Sequence, residues 1–295
     1  MIKFVWGYVE RTINRLERLL DRVEEVQVRP STFRILAYQM SFNPFETVEQ
    51  VLDFFRARLS DVERYSPAVV AFPRFFGDLF FGLVPFSKKK LREDRGADLT
   101  LKYGSLMRSA YLKFVKRFHD LTGIVVVGGT ILIDGKEDAV IADSKSLNIF
   151  GPSEKLKRNF EVLGTRCTFL FPSETKDYRM VREFSEGGSR IFFTTENMEG
   201  DFDEWEMKKG IWARSQSIGV VGVNSSMSGE FLGKIYTGLT FVSAPAILTK
   251  NFDGFIVRLS SPEKSGMIVA DINVEALENF LRSLPKTYRK YRSFV

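Results

Sequence analysis

The side chains that could act as nucleophile, base or metal ligand are few in this chain. Cys167 is the only cysteine and His119 the only histidine among 295 residues. A Ser–His–Asp triad would have to use His119, which lies in an amphipathic helical pattern over 111–120 without suitable neighbours. One cysteine excludes an internal disulfide and is typical of a reducing compartment. We therefore expect no metal site and no cofactor.

The most informative segment is the apolar run Val69–Phe72, which ends at Pro73 and Arg74. The run predicts a buried strand that delivers an ionisable side chain at its end. Arginine stays cationic at any relevant pH and cannot take a proton from a nucleophile. The strand therefore ends in a residue that cannot act as a general base.

The N-terminal segment predicts an amphipathic helix over 2–26, because apolar residues recur there at three- and four-residue spacing. Such a helix can pack on its own domain, pair with another subunit, or lie on a membrane surface. Its polar face mixes acidic residues with arginines, which disfavours binding to anionic lipid. We assign residues 1–30 to this helical extension.

After Pro30 the pattern alternates between strands and helices, which predicts an α/β fold with mixed sheets. No Gly/Ser-rich linker divides 31–282, so we expect one domain there, followed by a basic tail at 283–295. The predicted strands are 33–40, 68–72, 124–127, 167–171, 190–194, 219–224, 240–242, 246–249, 255–259 and 267–271, with a hairpin of 130–133 and 139–143 around Asp134-Gly135. The predicted helices are 47–64, 99–121, 175–185 and 203–217.

The charge pattern gives no sign of nucleic-acid or membrane binding. The net charge is +6, and the dense basic stretches are Lys88–Lys90 and Lys286–Arg292. No RNP, zinc-finger or helix-turn-helix pattern accompanies them. No apolar run is long enough to span a bilayer, and the N-terminus does not resemble a secretory signal. We expect a cytoplasmic protein that binds neither nucleic acid nor membrane.

Several strings, in this order and spacing, resemble the nitrilase (carbon–nitrogen hydrolase) superfamily over about 31–282. They are Phe33–Met40, Val69–Arg74, Val126–Gly129, Trp212–Ser215 with Val223-Asn224, Tyr236–Thr240 with Pro245, and Ile268–Ile272. The resemblance implies a four-layer α-β-β-α sandwich with mixed β-sheets, to which this chain adds its N-terminal amphipathic helix. It also implies a homodimer.

The family's chemistry uses a cysteine that attacks an amide or nitrile carbon, a glutamate that removes its proton, and a lysine that stabilises the tetrahedral intermediate. On the resemblance, the glutamate position falls on Arg74. The lysine position falls on Lys155, or on Lys157 if the segment slips. The cysteine position falls on Phe171 when counted from Gly164, and on Pro172 when counted back from Gly188.

Two other residues are alternative nucleophiles. Cys167 lies four or five residues upstream of the elbow, about 13–17 Å along an extended chain, where a thiol more often packs in the core. Ser173 lies next to the elbow but needs a positioned base, for which Glu174 is a candidate.

Arg74 and Lys155 at one site would require a compensating anion. Arg74 could pair internally with Asp78, Glu174 or another carboxylate, or it could bind a small anionic ligand together with Lys155 and Glu174. We therefore interpret the chain as an inactive nitrilase-fold protein that serves as a ligand-binding or assembly module. The alternative is an amidase-like hydrolase with relocated catalytic groups.

Overall fold

Two β-sheets lie face to face, and helices cover the outer face of each. The computed structural model describes residues 2–26, 28–93 and 97–284. Buried apolar side chains form three clusters, one between the two sheets and one under the helices of each outer face. The alternation of helix, sheet, sheet and helix confirms the four-layer α-β-β-α sandwich with mixed sheets.

The first sheet has nine strands in the order β5-β4-β3-β2-β1-β11-β12-β9, and β15 also pairs with β1. Its strands are β1 Arg34–Ser41, β2 Val69–Ala71, β3 Val125–Ile133, β4 Lys136–Ala142, β5 Leu147–Phe150, β9 Met198–Glu199, β11 Met227–Phe231, β12 Lys234–Thr237 and β15 Gly266–Asp271. β2 runs parallel to both β1 and β3. Arg74 lies three residues beyond its carboxyl end.

The second sheet has six strands in the order β14-β13-β10-β8-β7-β6. These are β6 Asn159–Val162, β7 Thr165–Leu170, β8 Ile191–Thr194, β10 Val221–Asn224, β13 Phe241–Ser243 and β14 Phe255–Arg258. β7, β8 and β10 are mutually parallel. The carboxyl ends of these three strands therefore meet at one edge, which is where α/β sheets bind ligands.

The helices are α1 Ile2–Leu20, α2 Val48–Tyr65, α3 Ser87–Arg92, α4 Ala97–Thr122, α5 Pro172–Thr175, α6 Tyr178–Glu186, α7 Glu204–Lys208, α8 Ile211–Ile218 and α9 Val274–Ser283. α1, α2 and α4 contribute side chains to the apolar cluster outside the first sheet. α6, α7 and α8 do the same outside the second sheet.

The N-terminal helix packs on its own domain. Val9, Ile13, Leu16 and Leu20 are buried in the same cluster as α2 and α4. The prediction that α1 continues to residue 26 is wrong, since α1 ends at Leu20. Arg117 of α4 donates hydrogen bonds to carbonyls at and just after this end, those of residues 20, 21 and 23. Within the described segments no helix is long and apolar enough to cross a membrane.

The predicted hairpin around Asp134-Gly135 is confirmed, but the strand before it does not stop at Gly128. β3 continues through Gly128-Gly129, and its register against β4 shifts there. Gly129 has a φ of +80°, and a Cβ on it would lie 2.0 Å from the Pro73 carbonyl oxygen. Glycine is therefore required here by the close approach of the chain around Pro73, not by the end of a strand.

Other predicted boundaries need correction. The predicted helix 175–185 begins later, at Tyr178, because Asp177 caps α6, and Thr175 is instead the last residue of α5. The predicted helix 203–217 is interrupted between α7 and α8, and the predicted strand 246–249 is a short 3₁₀ turn. The predicted basic tail 283–295 lies, beyond Leu284, outside the described residues.

Truncation of one buried side chain of α1 tests whether this helix is part of the domain core. Leu16→Ala removes a fully buried side chain, and we expect it to lower the free energy of unfolding by about 2–5 kcal/mol. Asn14→Ala, on the exposed face of the same helix, serves as the control and should change it by less than about 0.5 kcal/mol. Urea unfolding measures both. Equal stability of the two variants would contradict the packing of α1.

Candidate functional site

The elbow that follows β7 holds a buried ion pair where the resemblance places a cysteine. Phe171 packs in the core between the sheets, and α5 begins directly after it. The Arg158 side chain is 0% exposed, and its Nη1 lies 2.7 Å from Glu174 Oε2. Neither Phe171 nor Pro172 can act as a nucleophile.

Three contacts fix the pair at the elbow. Glu174 Oε2 also accepts the backbone N–H of Phe171 at 2.9 Å, and Arg158 Nη2 donates to the Pro152 carbonyl. The guanidinium of Arg158 lies over the Phe171 ring, 5.5 Å from its centroid. Both contacts of Glu174 use its Oε2 atom, and this charge-assisted pairing disfavours Glu174 as a base for Ser173.

Arg74 is paired internally, but with neither carboxylate named from the sequence. Its Nε and Nη2 donate to the two oxygens of Glu137 at 2.9 and 2.8 Å. Thr130 Oγ1 donates to Glu137 Oε1 at 2.7 Å, and the guanidinium lies 4.5 Å from the centroid of the Phe75 ring. This two-donor fork uses the geometry that a bound anion would otherwise take.

Asp78 lies near this pair but does not contact Arg74. It is fully buried, and its carboxyl accepts the backbone N–H of Leu132 at 3.1 Å. Burial raises the pKa of Asp78 well above its usual range. Burial therefore disfavours the charged form of this carboxyl.

The two lysines proposed for the family's lysine position lie on the surface. The Lys155 side chain is 49% exposed and pairs with Glu183 at 3.3 Å. Lys157 pairs with the exposed Glu154. The cation that reaches the elbow is Arg158, from the same short segment.

Cys167 lies in β7 with its thiol in the core between the sheets. It is 0% exposed, opposite Phe160 in the neighbouring strand. Burial raises the pKa of the Cys167 thiol well above its usual value. The thiol is therefore neutral and inaccessible.

A cleft of about 250 Å³ opens beside the elbow, at the carboxyl end of β8. Ser173 is exposed at its rim. Of the residues named from the sequence as site candidates, only Ser173 and Pro172 line it. The lining residues are Pro172, Ser173, Lys176, Glu196, Asn197, Met198, Glu206, Met207, Gly238 and Leu239.

Two acidic residues line the cleft, and Glu196 is the less exposed of them. Its Oε1 accepts the first backbone N–H of α8, that of Ile211, at 2.9 Å. Gly210 makes this approach feasible, because a Cβ there would lie 2.2 Å from Glu196 Oε2. Burial raises the pKa of Glu196 to about 7, although the Thr175 hydroxyl and the Ile211 N–H oppose the shift.

Sequence reasoning missed Arg158, Glu137 and Glu196. Arg158 shares a two-residue alternation with Phe160 and Val162, which predicts a common buried face, so a signal was present. Glu196 follows a buried parallel strand, as a site residue of an α/β sheet often does. Nothing local distinguishes Glu137 from its acidic neighbour Asp138. Among the described residues no cluster of His, Cys, Asp and Glu could hold a metal.

Removal of the Glu137 charge tests the pairing of Arg74. Both partners are mostly buried, with side chains 21% and 14% exposed. Glu137→Gln should therefore cost about 1–3 kcal/mol of unfolding free energy, because Arg74 keeps its charge without a partner. Glu183→Gln removes a carboxylate from an exposed pair and should cost less than about 1 kcal/mol. Chemical denaturation compares the two, and equal costs would contradict a special role for the Arg74 pair.

The pH dependence of stability tests the environment of Glu196. Its folded pKa of about 7 lies above its ordinary value of 4.5, so the folded state retains the proton that the unfolded state loses. Stability from this group is full below about pH 4.5 and is lost as the pH rises to about 7.

Glu196→Gln removes this dependence. Between pH 5 and pH 8 the stability of the variant relative to the native protein should rise by about 2 kcal/mol. Urea titrations at the two pH values measure the difference. A difference that does not change with pH would contradict the burial of this carboxyl.

No protein-family model matches the chain, and no curated protein matches it. Solved structures of a nitrilase-superfamily amidase from Nesterenkonia AN1 do match. A cysteine-to-alanine mutant of that amidase has a TM-score of 0.60 at 16% identity, covering 85% of this chain and 95% of the amidase. A complex of such a mutant with butyramide gives 0.59 at 16% identity, covering 91% and 99%. A double mutant in complex with acrylamide gives 0.57 at 18% identity, covering 85% and 95%.

Identity this low establishes a common architecture rather than a common activity. The match extends over most of both chains and agrees with the four layers described above. The chain therefore has the fold of the nitrilase superfamily.

Proposed function

We propose that this chain is a divergent nitrilase-superfamily protein without carbon–nitrogen hydrolase activity, which serves as a ligand-binding or assembly module. One observation supports the proposal: the two positions to which the resemblance assigns the family's base and nucleophile are occupied by side chains that the chain pairs internally. At the first, Arg74 pairs with Glu137, and at the second, Phe171 lies beside the Arg158–Glu174 pair. A cation cannot accept a proton and a phenyl ring cannot attack a carbon.

The buried Cys167 supports the same conclusion. Covalent catalysis needs a thiolate that reaches the substrate. Here the only thiol of the chain is enclosed by apolar side chains, and burial raises its pKa.

The test is ammonia release from acetamide, butyramide and acetonitrile, together with thiol labelling. We expect no release above that of buffer. Iodoacetamide should modify Cys167 only after unfolding in urea, as measured by mass spectrometry. Turnover abolished by Cys167→Ala, or stoichiometric labelling of the folded protein, would contradict the proposal.

The alternative, an amidase-like hydrolase with relocated groups, retains one supporting observation. Ser173 and Glu196 line the same cleft, and a carboxyl with a pKa of about 7 is suited to act as a general base. Amide turnover abolished by both Ser173→Ala and Glu196→Gln, and unaffected by Cys167→Ala, would establish this alternative.

The predicted anionic ligand at Arg74 is disfavoured, because such an anion would have to displace Glu137 from two hydrogen bonds. Lys155 and Glu174 are engaged by Glu183 and Arg158. Ligand binding is instead proposed for the cleft beside the elbow. The homodimer and the cytoplasmic location stay predictions from the sequence.

A further inference from the structure

We propose that the cleft beside the elbow binds a short-chain carboxylate, with the anionic end at Lys176 and Ser173 and the alkyl chain against the apolar walls. The inference rests on the proposed function, since it names the ligand class of the ligand-binding module.

The lysines at the cleft outnumber the carboxylate that they contact. Lys176 lines the cleft, and Glu206 accepts Lys176 and Lys209 at 2.6 Å each, one on each oxygen. One negative charge therefore serves two ammonium groups. An ammonium group has three N–H donors, and the Lys176 side chain is 55% exposed. Lys176 can therefore donate to a second anion while it keeps its contact with Glu206.

Arg214 adds to the positive potential near the cleft. Within the described segments it forms no ion pair with a carboxylate. Its Nη2 donates to the Lys209 carbonyl at 3.3 Å, and its Nε is buried without a hydrogen-bond partner. Arg214 and Lys176 both act electrostatically on Glu196. An anion bound beside Lys176 is therefore attracted by more than one cation.

Glu196 does not cancel this charge in mildly acidic solution. Burial raises the pKa of Glu196 to about 7, so this carboxyl is mostly neutral at pH 6 and mostly charged at pH 8. A neutral carboxyl can donate a hydrogen bond to a carboxylate, whereas a charged one repels it. Asp177 and Asp203 also act on the nearby cations. Both accept backbone N–H groups in the first turns of α6 and α7, and neither lines the cleft.

The other lining residues suit an alkyl chain with one polar end. Ser173 is exposed at the rim, and its hydroxyl can donate to a carboxylate oxygen. Met198, Met207 and Leu239 provide apolar walls, and methionine side chains adapt to irregular shapes. A volume of about 250 Å³ admits a small molecule and not a polymer. A short-chain carboxylate uses both the cations and the apolar walls, whereas an inorganic anion would use only the cations.

Butyrate is the probe, titrated into the full chain and followed by calorimetry at pH 6 and pH 8. Its affinity should fall about tenfold between these values, because the protonated fraction of Glu196 falls by about that factor around a pKa of about 7. At pH 6 butyrate should bind more tightly than butyramide, its uncharged analogue, and more tightly than butylamine, its cationic analogue.

Two substitutions at the cleft should change the affinity for butyrate in opposite directions. Lys176→Gln removes a charged donor and should weaken binding by at least about tenfold. Glu206→Gln removes the carboxylate that both lysines share and should strengthen binding. Lys116→Gln is the matched control, because Lys116 is 57% exposed and lies 2.7 Å from Asp120, but on α4 outside the other sheet. It should leave the affinity unchanged.

A second readout uses the native chain alone. Carbon NMR of selectively labelled glutamate reports the pKa of Glu196, and saturating butyrate should raise it, since the anion binds the protonated form better.

Four outcomes would overturn the inference. They are equal binding of butyrate by Lys176→Gln and the native chain, an affinity that does not fall between pH 6 and pH 8, tighter binding of butyramide or butylamine than of butyrate, and a pKa of Glu196 that butyrate does not raise. Ammonia release from butyramide in the same samples reports separately on the proposed function. Such release would contradict the absence of hydrolase activity and leave the binding result standing.

Discussion

The buried pair of Arg158 and Glu174 is the interaction on which the character of the elbow depends. Two charges without access to water are stable only when each has close partners. Here a carboxylate oxygen, a carbonyl and an aromatic face surround the guanidinium. The pair joins the segment before β6 to the first turn of α5. It therefore fixes the position of the elbow relative to that segment. A thiol at position 171 would lie in the apolar core between the sheets, where Phe171 packs.

The Arg74–Glu137 pair extends the same principle to the neighbouring sheet. In both places an arginine that could have bound an external anion is neutralised by a carboxylate of the chain. In each pair the two charged groups are engaged with each other. The polar side chains that line an open cleft lie instead at the carboxyl end of β8. They include Glu196 and Asn197.

The sequence predicted most strands and helices well, because their signals are local, whereas the four-layer stacking followed from the family resemblance. Apolar runs placed β1, β2, β7, β8 and β10, and Asp134-Gly135 placed the hairpin. The partners at the site depend on contacts between distant segments. Arg74 meets Glu137 from another strand, and Gly210 leaves the space that the Glu196 carboxyl occupies. A one-dimensional pattern does not contain those distances. The end of α1 likewise depends on Arg117, 97 residues from the Leu20 carbonyl that it caps.

A double-mutant cycle on the elbow pair tests the central claim most directly, with Arg158→Met, Glu174→Gln and the double variant compared by urea unfolding. Each single change should cost about 3–5 kcal/mol, because it leaves a buried charge or donor without its partner. The double variant should cost at least about 2 kcal/mol less than the sum of the two. If the two costs add within about 0.5 kcal/mol, the two residues do not interact, and the claim that their ion pair stabilises the elbow is contradicted.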